Sequence, residues 1–513
     1  MKQIPLSGKI FKISATLGVI VVAGKFIGFA RDAIIAAFYG ATWQTDAFFL
    51  AQSLPGVIFP AVCNSVSTAF LSIYVSKIVA DEEAADKYAS KILMVTAIGT
   101  VVLSFLAILF LPILIPLLAP GFNADQTHLS IYLSRIVLAT FVLGMAHYMF
   151  AAILSSKKLF YGAQIAALGY NFTVIALIFV FGKNQSMATL TWSVVLGHVI
   201  QVVMLYFIAS KRFHFYRPEK IFDKDAVLLL QLAFPILIGN SMVQINNIVD
   251  RILASLVGSG AVSALTYSNT LNRFVTGVIM TMLSTVLYPY FAESYTKNNL
   301  AEFCKNLKQS TILLTMAMLP ISIVTVIFAK DVVQIVYKRG HFGQEAFVMT
   351  SILLACYGGM YIFSSLHEMI ARAFYAMKDT KTPLKITSVA ILANSVISII
   401  LTRFIGIGGI ALGTTLSAVL AVLLLLRVLR KRLPMLDLKD TLPTLGKMSV
   451  AGILVIVIGY VGHLYLLGWN PFIRFGIATA GVFSVYFALL CLFRCKEASY
   501  MLAIVKRKLS KLF

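Results

Sequence analysis

The sequence has little charge for its length. Only 12% of its 513 residues are Asp, Glu, Lys or Arg, whereas 59% are hydrophobic. A soluble domain carries about 25% charged residues, so this composition excludes a soluble globular protein. Most apolar runs reach or exceed the ~20 residues that cross a bilayer as a helix, and they lack the alternation of an outer-membrane barrel. The chain is therefore predicted to be an all-α polytopic membrane protein.

Motifs for ATP hydrolysis and for metal chemistry are also missing. Gly446-Lys447 lacks the glycine-rich loop and the Ser/Thr of a Walker A motif. His367-Glu368 begins a zinc-protease pattern, but Ala371 stands where the second histidine belongs. None of the five cysteines lies in a predicted outside loop, so neither a disulfide framework nor a metal site is expected. No cofactor is predicted, and energy would come from an ion gradient, the membrane potential or a substrate gradient.

The apolar runs predict fourteen membrane spans. They cover roughly residues 10–40, 46–76, 92–119, 129–155, 160–182, 187–210, 225–257, 265–293, 309–329, 346–375, 384–402, 408–429, 448–468 and 473–493. With a cytoplasmic N-terminus, most Lys and Arg residues fall in inside segments, as the positive-inside rule requires. The net charge of +23 therefore reflects topology, not nucleic-acid binding. Both termini are predicted to be cytoplasmic, and basic segments such as 427–432 would face membrane lipids.

An internal repeat organises these spans. Residues 32–40 (DAIIAAFYG) align without a gap with residues 250–258 (DRILASLVG), so that Asp32 matches Asp250 and Gly40 matches Gly258. Six spans per repeat, an even number, make the two copies parallel. Two six-helix lobes around a central cavity are predicted. The segments are an N-lobe at 1–210 (spans 1–6), a cytoplasmic linker at 211–224, a C-lobe at 225–432 (spans 7–12), and 433–513 with spans 13 and 14 and a basic cytoplasmic tail.

Several polar side chains lie inside these spans, where an isolated charge costs several kcal/mol. In spans 1 and 2 they are Lys25, Arg31, Asp32 and Asp46. In span 7, Gln244, Asn247 and Arg251 lie at i, i+3 and i+7, on one helix face. Such a face must meet protein or water, so it predicts a hydrated cationic cavity wall. The alternative is interhelical hydrogen bonding that only stabilises the lobe.

The repeat separates structural from functional charges. Because Asp32 recurs as Asp250, the two form a matched structural pair of charged positions. Lys25, Arg31 and Asp46 have no charged counterpart in the second copy, which favours substrate contacts. Arginines in spans 1, 7 and 8 could bind a phosphate through forked hydrogen bonds. We expect His147, His198 and Glu368 to be buried hydrogen-bonded groups rather than proton relays, and Glu368 to pair with Arg372 one turn later.

Four groups of residues resemble the MurJ/MviN family of lipid II flippases, within the multidrug/oligosaccharidyl-lipid/polysaccharide exporter superfamily. They are residues 28–32 (GFARD), 45–48 (TDAF) with 54–55 (LP), 374–386 (FYAMKDTKTPLKI) and 406–413 (GIGGIALG). The similarity extends over nearly the whole chain. It implies a non-enzymatic flippase of the bacterial cytoplasmic membrane. Such a protein moves undecaprenyl-pyrophosphate-linked peptidoglycan precursor from the inner to the outer leaflet by alternating access.

The resemblance also implies site residues. Family cavity positions carry over to Arg31 and Asp46, and Lys25 stands where the family usually has arginine. Phe59 replaces a family arginine shortly after the Leu-Pro, and Thr270 replaces a basic residue in span 8, where Arg273 one turn later would substitute. The predicted substrate-binding residues are Lys25, Arg31, Asp46, Gln244, Asn247, Arg251 and Arg273. Expected partners are a polyprenyl-pyrophosphate glycolipid, membrane lipids and cell-wall synthesis proteins.

Other functions stay open at this point. A flippase for another polyprenyl-linked glycan, such as an O-antigen or exopolysaccharide unit, would use the same architecture. A drug/cation antiporter of the superfamily would need acidic rather than basic cavity residues. A non-transporting scaffold of cell-wall synthesis would not depend on the cavity charges. Sodium coupling of the kind that uses an acid in span 11 is not expected, because residues 384–402 contain no Asp or Glu.

Overall fold

The regular secondary structure is helical throughout the part of the chain that the computed structural model describes. The described residues are 8–184, 186–218, 220, 223–282, 288–437, 439–495 and 497–498. Contacts between residues divide the chain into two compact units. The first unit is Met1–Thr266 with Gly340–Gly343, and the second is Tyr267–Arg339 with Gln344–Phe513. The all-α class predicted from composition is confirmed.

The first unit contains nine described helices and the start of a tenth. They are α1 (Gly8–Tyr39), α2 (Trp43–Ala51), α3 (Phe59–Ala80), α4 (Glu82–Leu118), α5 (Ala124–Val137), α6 (Ala139–Ser156), α7 (Tyr161–Phe181), α8 (Met187–Ala209), α9 (Lys224–Val257) and α10 (Ala261–Met282). A π-helical turn, Leu54–Ile58, joins α2 to α3, and a 3₁₀ turn, Gly182–Asn184, follows α7. The contact-based unit thus includes α9, which the repeat assigns to the C-lobe. The lobe boundaries derived from the repeat stay a prediction.

The second unit continues α10 and adds the remaining described helices. They are α11 (Tyr288–Thr296), α12 (Leu300–Ile327), α13 (Ala329–Val336), α14 (Gln344–Gly358), α15 (Met360–Ala376), α16 (Lys381–Ile405), α17 (Gly408–Arg432), α18 (Leu442–Tyr465) and α19 (Pro471–Leu492). The helices α14 and α15 bend by 44° at their junction. Their combined length matches one predicted span, 346–375.

Helix lengths support the predicted spans. Within the described residues, 11 helical segments are long and apolar enough to cross a membrane, and the bent pair α14–α15 brings the number to 12. The other two predicted spans, 10–40 and 265–293, coincide with α1 and with α10 and α11. Residues 283–287 of the latter lie outside the described set. The predicted number of fourteen is therefore approximate, while the positions of the spans agree with the helices.

Span 2 differs from its prediction because it is interrupted. The sequence predicts one helix over 46–76, whereas the structure inserts the π-helical turn at Leu54–Ile58 between α2 and α3. Pro55 lies in this turn, and proline removes a backbone donor and clashes with the preceding helical turn. Single π-helical turns of this kind are frequent at functional sites. The interruption also leaves the last carbonyls of α2 in need of other donors.

Local backbone geometry repeats in the two halves of the sequence. Gly40 follows α1 with φ of +68°, and Gly258 follows α9 with φ of +149°, a region that favours glycine because it has no Cβ. Lys158 after α6 and Lys378 after α15 have φ of 62° and 61°. In each case, the next residue's N–H donates to the carbonyl five residues earlier, which is a Schellman-type helix end. These matched ends support the internal duplication.

A buried ionic cluster holds the segment after α8 against α4. The Nζ of Lys157 lies 2.9 Å from a carboxylate oxygen of Asp86 and 2.5 Å from the carbonyl oxygen of Arg212. Asp86 also accepts hydrogen bonds from the hydroxyl of Tyr74 at 2.7 Å and from the backbone N–H of His214 at 3.0 Å. Both carboxylate oxygens of Asp86 thus have hydrogen-bond partners, and these contacts offset the cost of burying the charge.

The start of α9 is fixed in the same way. Asp223 is its N-cap, and one carboxylate oxygen accepts from the backbone N–H groups of Asp225 and Ala226 at 3.0 and 3.2 Å. Lys91 of α4 donates to the other oxygen. The hydrogen bond from Lys91 lowers the pKa of Asp223 below its usual range. The described residues of the predicted linker 211–224 are therefore anchored on α4 at both ends.

In the second unit, one buried ion pair connects α13 to α19. The Nε of Arg474 donates to Asp331 at 2.6 Å, and its Nη1 donates to the carbonyl of Leu467 at 3.0 Å. Asp331 is fully buried and Arg474 is nearly so. The imidazole Nδ1 of His463 on α18 lies 3.4 Å from the second carboxylate oxygen of Asp331. The pair therefore joins the two helices beyond the predicted repeat to the rest of this unit.

We predict that Arg474→Met destabilises the protein strongly. Removing one partner of a buried ion pair leaves the other charge uncompensated, at a cost of about 3–5 kcal/mol. The double variant Asp331→Leu with Arg474→Met should recover most of the loss, because no charge is then left buried. Thermal unfolding of the purified protein in detergent measures both effects. Arg403→Met, which removes an exposed arginine from α16, is the control, and an Arg474→Met midpoint equal to that of the control would contradict the prediction.

Candidate functional site

The charged segment of α1 forms a compact cluster with α7. The Nε and Nη2 of Arg31 donate to one carboxylate oxygen of Asp32 at 2.9 and 2.6 Å. Its Nη1 donates to the side-chain oxygen of Asn171 at 3.2 Å, and the guanidinium lies 5.3 Å from the centroid of the Tyr170 ring. The side chains of Arg31 and Asp32 are 22% and 21% exposed. The structure thus holds Arg31 in one orientation as part of a neutral, partly accessible pair.

Lys25 lies on the same helix but in a different setting. Its side chain is half-buried, and no carboxylate among the described residues forms an ion pair with it. At 1.5 Å per residue, it is about 9 Å from Arg31 along the helix axis. Lys25 therefore contributes a positive charge to α1 that the Arg31–Asp32 pair does not neutralise directly.

Asp46, predicted as a substrate contact, is fully buried at the start of α10. One carboxylate oxygen accepts from the backbone N–H of Gly260 at 2.6 Å. The other accepts from the backbone N–H and the hydroxyl of Ser263 at 2.7 and 2.6 Å. Carboxylates stabilise helix N-termini by pairing with free N–H groups and with the helix dipole. In this structure the carboxylate of Asp46 serves as the cap of α10.

Residues of the predicted polar face of α9 form hydrogen bonds within the first unit. The Nη1 of Arg251 donates to the carbonyl of Phe49 at 2.8 Å. Phe49 is in the last turn of α2, so this hydrogen bond connects α9 to the end of α2, just before the π-helical turn. Asn247 donates to the side-chain oxygen of Gln244 at 3.1 Å. Interhelical and intrahelical hydrogen bonding therefore accounts for part of this polar face.

The matched acids Asp32 and Asp250 have different surroundings. Asp32 pairs with Arg31, the residue before it, whereas Asp250 is buried and accepts from the side-chain amide of Asn246 at 3.3 Å. Arg251, the residue after Asp250, donates to the carbonyl of Phe49 on α2. The two copies of the repeat therefore share the acidic position, but the neighbouring arginine precedes the acid in the first copy and follows it in the second.

The first unit also contains a partly open cavity of about 330 Å³. The π-helical turn, α3, α6, α7 and α8 supply most of its walls. Its polar lining includes the side chains of Gln52, His147, Tyr170, His198 and Gln201. The centroid of the His198 ring is 4.6 Å from that of the Tyr170 ring, which also contacts the guanidinium of Arg31. The cavity is therefore next to the charged cluster of α1.

Two of the predicted candidates lie in the second unit. Arg273 is exposed on α10. Glu368 accepts from Arg372 one turn later at 2.6 Å, as the spacing predicts. Arg273 is one of the seven predicted substrate contacts, and the other six belong to the first unit. Lys25 and Arg31 are on α1, and Gln244, Asn247 and Arg251 are on α9. Asp46 is on α2, and its carboxylate binds the start of α10.

Sequence reasoning missed the partners that position these residues. Tyr170 and Asn171 on α7 hold Arg31, and Ser263 on α10 binds Asp46. Asn171 can be aligned with Asn394 in the second copy of the repeat, but this match indicates no partner for its amide. An amide in an apolar helix usually has a hydrogen-bond partner, because an unpaired polar group is costly there. That rule would single out Asn171 without naming Arg31 as its partner.

Comparison with known proteins decides the family. The family model described as "Lipid II flippase MurJ" matches residues 35–502. The chain belongs to the lipid II flippase MurJ family. The matched range runs from the end of α1 through α19, so it includes both units.

Curated relatives have similar lengths and low identities. The probable lipid II flippase MurJ of Rickettsia prowazekii is 26% identical over 415 residues, which are 80% of this chain and 82% of the relative. The corresponding protein of Rhizobium tropici is 26% identical over 421 residues, which are 79% of this chain and 78% of the relative. The similarity thus extends over most of each protein.

Solved structures share the fold. One titled "Lipid II flippase MurJ, inward closed conformation" gives a TM-score of 0.79 at 22% identity and covers 93% of this chain and 98% of that chain. An inward-facing multidrug MATE transporter of the MOP superfamily gives 0.69 at 16% identity, covering 80% of this chain and 95% of that chain. At these identities the comparison concerns fold alone.

Family membership selects among the functions left open by the sequence. It makes the chain a lipid II flippase, a multi-pass inner-membrane protein of peptidoglycan biosynthesis that handles a lipid-linked substrate. A flippase for a different glycan and a drug/cation antiporter lose their support, since the family model and the curated relatives both carry the lipid II description.

We predict that Asp46→Ala lowers stability, because it leaves the N–H groups of Gly260 and Ser263 without their acceptor. The expected loss is about 2–4 kcal/mol for buried donors without partners. Thermal unfolding in detergent measures it. The control is Asp125→Ala, which removes an exposed acid from the first turn of α5. If Asp46→Ala unfolds with the control but binds lipid II more weakly, Asp46 is a substrate contact rather than a cap.

Proposed function

We propose that Arg31 binds the diphosphate of lipid II while the protein moves the head group from the cytoplasmic to the outer leaflet by alternating access, without ATP hydrolysis. The prenyl chain would stay in the hydrocarbon between helices, because removing it from lipid has no compensating contact. The observation that carries this proposal is the orientation of the Arg31 guanidinium by Asp32, Asn171 and Tyr170. An arginine held in place can bind a diphosphate with little further ordering.

The remaining donors of Arg31 are sufficient for a phosphate. A guanidinium has five N–H groups, and the contacts to Asp32 and Asn171 use three of them. The others could donate to a phosphate oxygen, and a diphosphate could also replace Asp32 as a forked acceptor. The partial exposure of the pair gives access to an anion of this kind.

Pairing with Asp32 suits a transporter rather than a tight binder. A carrier must bind its substrate well enough to load it and weakly enough to release it. An unpaired buried arginine would hold a diphosphate strongly, since both charges would lose their only partner on release. Asp32 offers Arg31 an alternative partner in the empty state, which lowers the cost of release. Lys25 would add long-range attraction for the anion.

The membrane potential can supply the driving force through the substrate's own charge. Moving one elementary charge across the membrane changes the free energy by about 2.3 kcal/mol per 100 mV. An inside-negative potential therefore favours outward movement of an anionic diphosphate. We propose this coupling in preference to a dedicated sodium site, because predicted span 11 contains no acid.

We also propose that both termini face the cytoplasm. The end of α17 carries Arg430, Lys431 and Arg432, and positive charge concentrates on the cytoplasmic side of membrane proteins. Arg432 pairs with Asp379 at 2.6 Å, in the loop between α15 and α16. This ion pair supports a cytoplasmic position for the 374–386 segment as well, and cell-wall synthesis proteins are the protein partners that we expect there.

The test is rescue of a bacterial strain depleted of its own lipid II flippase. We expect the wild-type chain and Arg135→Ala, which removes an exposed arginine from α5, to restore growth. Arg31→Ala should fail at equal membrane abundance, because the forked donor is lost, and Arg31→Lys should rescue partially because it keeps the charge. Full rescue by Arg31→Ala would refute the diphosphate-binding role.

A further inference from the structure

The cavity in the first unit is large enough for a ligand group. Its volume is about 330 Å³, compared with about 30 Å³ for one water in the liquid and 300 Å³ or more for typical ligand pockets. It lies where the π-helical turn at Leu54–Ile58 separates α2 from α3. Pro55 and Gly56 of this turn, together with Phe59 and Pro60 at the start of α3, line the cavity.

The cavity lining has no Asp, Glu, Lys or Arg among its described residues. Its hydrogen-bonding groups include the amides of Gln52 and Gln201 and the imidazoles of His147 and His198, which can both donate and accept. A diphosphate would require cations here. The lining instead matches a neutral group with hydroxyls or amides.

One of these groups has an unused atom. The Nδ1 of His147 is buried and has no hydrogen-bond partner among the described residues. Buried polar atoms of native proteins nearly always have a partner, so this atom indicates a ligand or a water. His198 has one committed nitrogen, because its Nδ1 bonds to the carbonyl of Val194 at 2.9 Å. Its Nε2 is then the nitrogen for another partner.

Another part of the lining is aromatic. The rings of Phe59 and Phe141 stack with centroids 3.6 Å apart and planes at 15°, and both rings line the cavity. The negative faces of aromatic rings attract the weakly positive C–H edges of a partner. Phe59 occupies the position at which the MurJ resemblance indicates an arginine. The exchange replaces a cation with an apolar surface and makes this wall suitable for a sugar ring.

The cavity is also next to the proposed diphosphate site. The Tyr170 ring contacts the guanidinium of Arg31 at 5.3 Å and the ring of His198 at 4.6 Å, and Tyr170 itself lines the cavity. In lipid II a sugar is joined directly to the diphosphate. A diphosphate on Arg31 would therefore bring that sugar to the cavity beyond Tyr170.

We infer that this cavity is a subsite for a neutral, N-acetylated sugar ring of the lipid-linked head group. The amides and imidazoles bind its hydroxyl and acetamido groups, and the partly exposed ring of Phe59, backed by the buried ring of Phe141, packs against its C–H face. This inference rests on the proposed diphosphate binding at Arg31. It assigns the recognition of the glycan to this cavity and the recognition of the anion to Arg31, both within the first unit.

The experiment fills the cavity without removing a polar group. Gly144 lines it, and a Cβ on this residue would meet no atom within 4 Å, so Gly144→Leu should fold and occupy the space. Gly99 on α4 also has open space around a Cβ and does not line the cavity, which makes Gly99→Leu the matched control. Binding of lipid II and of undecaprenyl pyrophosphate, which lacks the sugars, is measured for each purified variant.

We expect Gly144→Leu to bind lipid II about tenfold more weakly, a change typical of losing one well-packed contact region, and to bind undecaprenyl pyrophosphate as the wild type does. Unchanged lipid II binding, or an equal loss for both ligands, would overturn the subsite. Failure of the proposed function gives a different result: Arg31→Ala would then bind undecaprenyl pyrophosphate normally.

A second pair of variants tests the polar side of the cavity. His147→Leu should weaken lipid II binding and leave undecaprenyl pyrophosphate binding unchanged, because it removes the imidazole with the unused nitrogen. His128→Leu, which changes an exposed histidine on α5, should alter neither. Equal lipid II affinities of the two histidine variants would contradict a role of His147 in the subsite.

Discussion

A charged side chain inside an apolar helix must be paired, hydrogen-bonded or hydrated, because desolvating an isolated ion costs several kcal/mol. The structure meets this requirement differently at each site. Arg31 has an adjacent carboxylate, Asp46 has the N-terminus of α10, Arg251 has a backbone carbonyl, and Arg474 has a buried acid on another helix. The last three of these contacts connect helices that are far apart in sequence, so these charges also specify which helices pack together.

The pairing of Arg31 with Asp32 determines the properties of the proposed transport site. Of the cations in the first unit that the sequence singles out, Arg31 combines a fixed orientation with partial exposure. Its pairing with Asp32 gives the empty site a resting partner, and its contact with Tyr170 places it beside an uncharged cavity. The anion and the glycan of the substrate would then be bound by different chemistry in adjoining places. That division would explain how the protein can bind a charged head group although most of the cavity lining is uncharged.

Much of the fold could be predicted from the sequence. Long apolar runs determine helices wherever the bilayer leaves the backbone no other hydrogen-bond partners, so the predicted spans agree with the observed helices. The interruption of span 2 was missed, because a proline within a helical pattern produces a kink, a π-helical turn or a break according to its neighbours. The repeat was visible because positive φ at Gly40 and Gly258 restricts those positions to few residue types.

The functional site was less predictable. Its candidates could be identified because charges are rare in the spans, but their partners could not. Asp46 caps a helix that begins more than two hundred residues later, and no local pattern encodes such a contact. The same limit applies to Phe59, whose replacement of a basic residue was visible in the sequence. Its stacking on Phe141 and its place in the cavity wall depend on the packing of α3 against α6.

The central claim is that the protein itself moves lipid II outward under the membrane potential. The most direct measurement uses the purified chain in liposomes containing labelled lipid II, with a reagent that reaches only the outer leaflet. With an inside-negative potential and no ATP, the account predicts that lipid II becomes accessible much faster than in protein-free liposomes, and more slowly when the potential is dissipated. Accessibility at the protein-free rate under an inside-negative potential, with the correctly folded protein present, would contradict it.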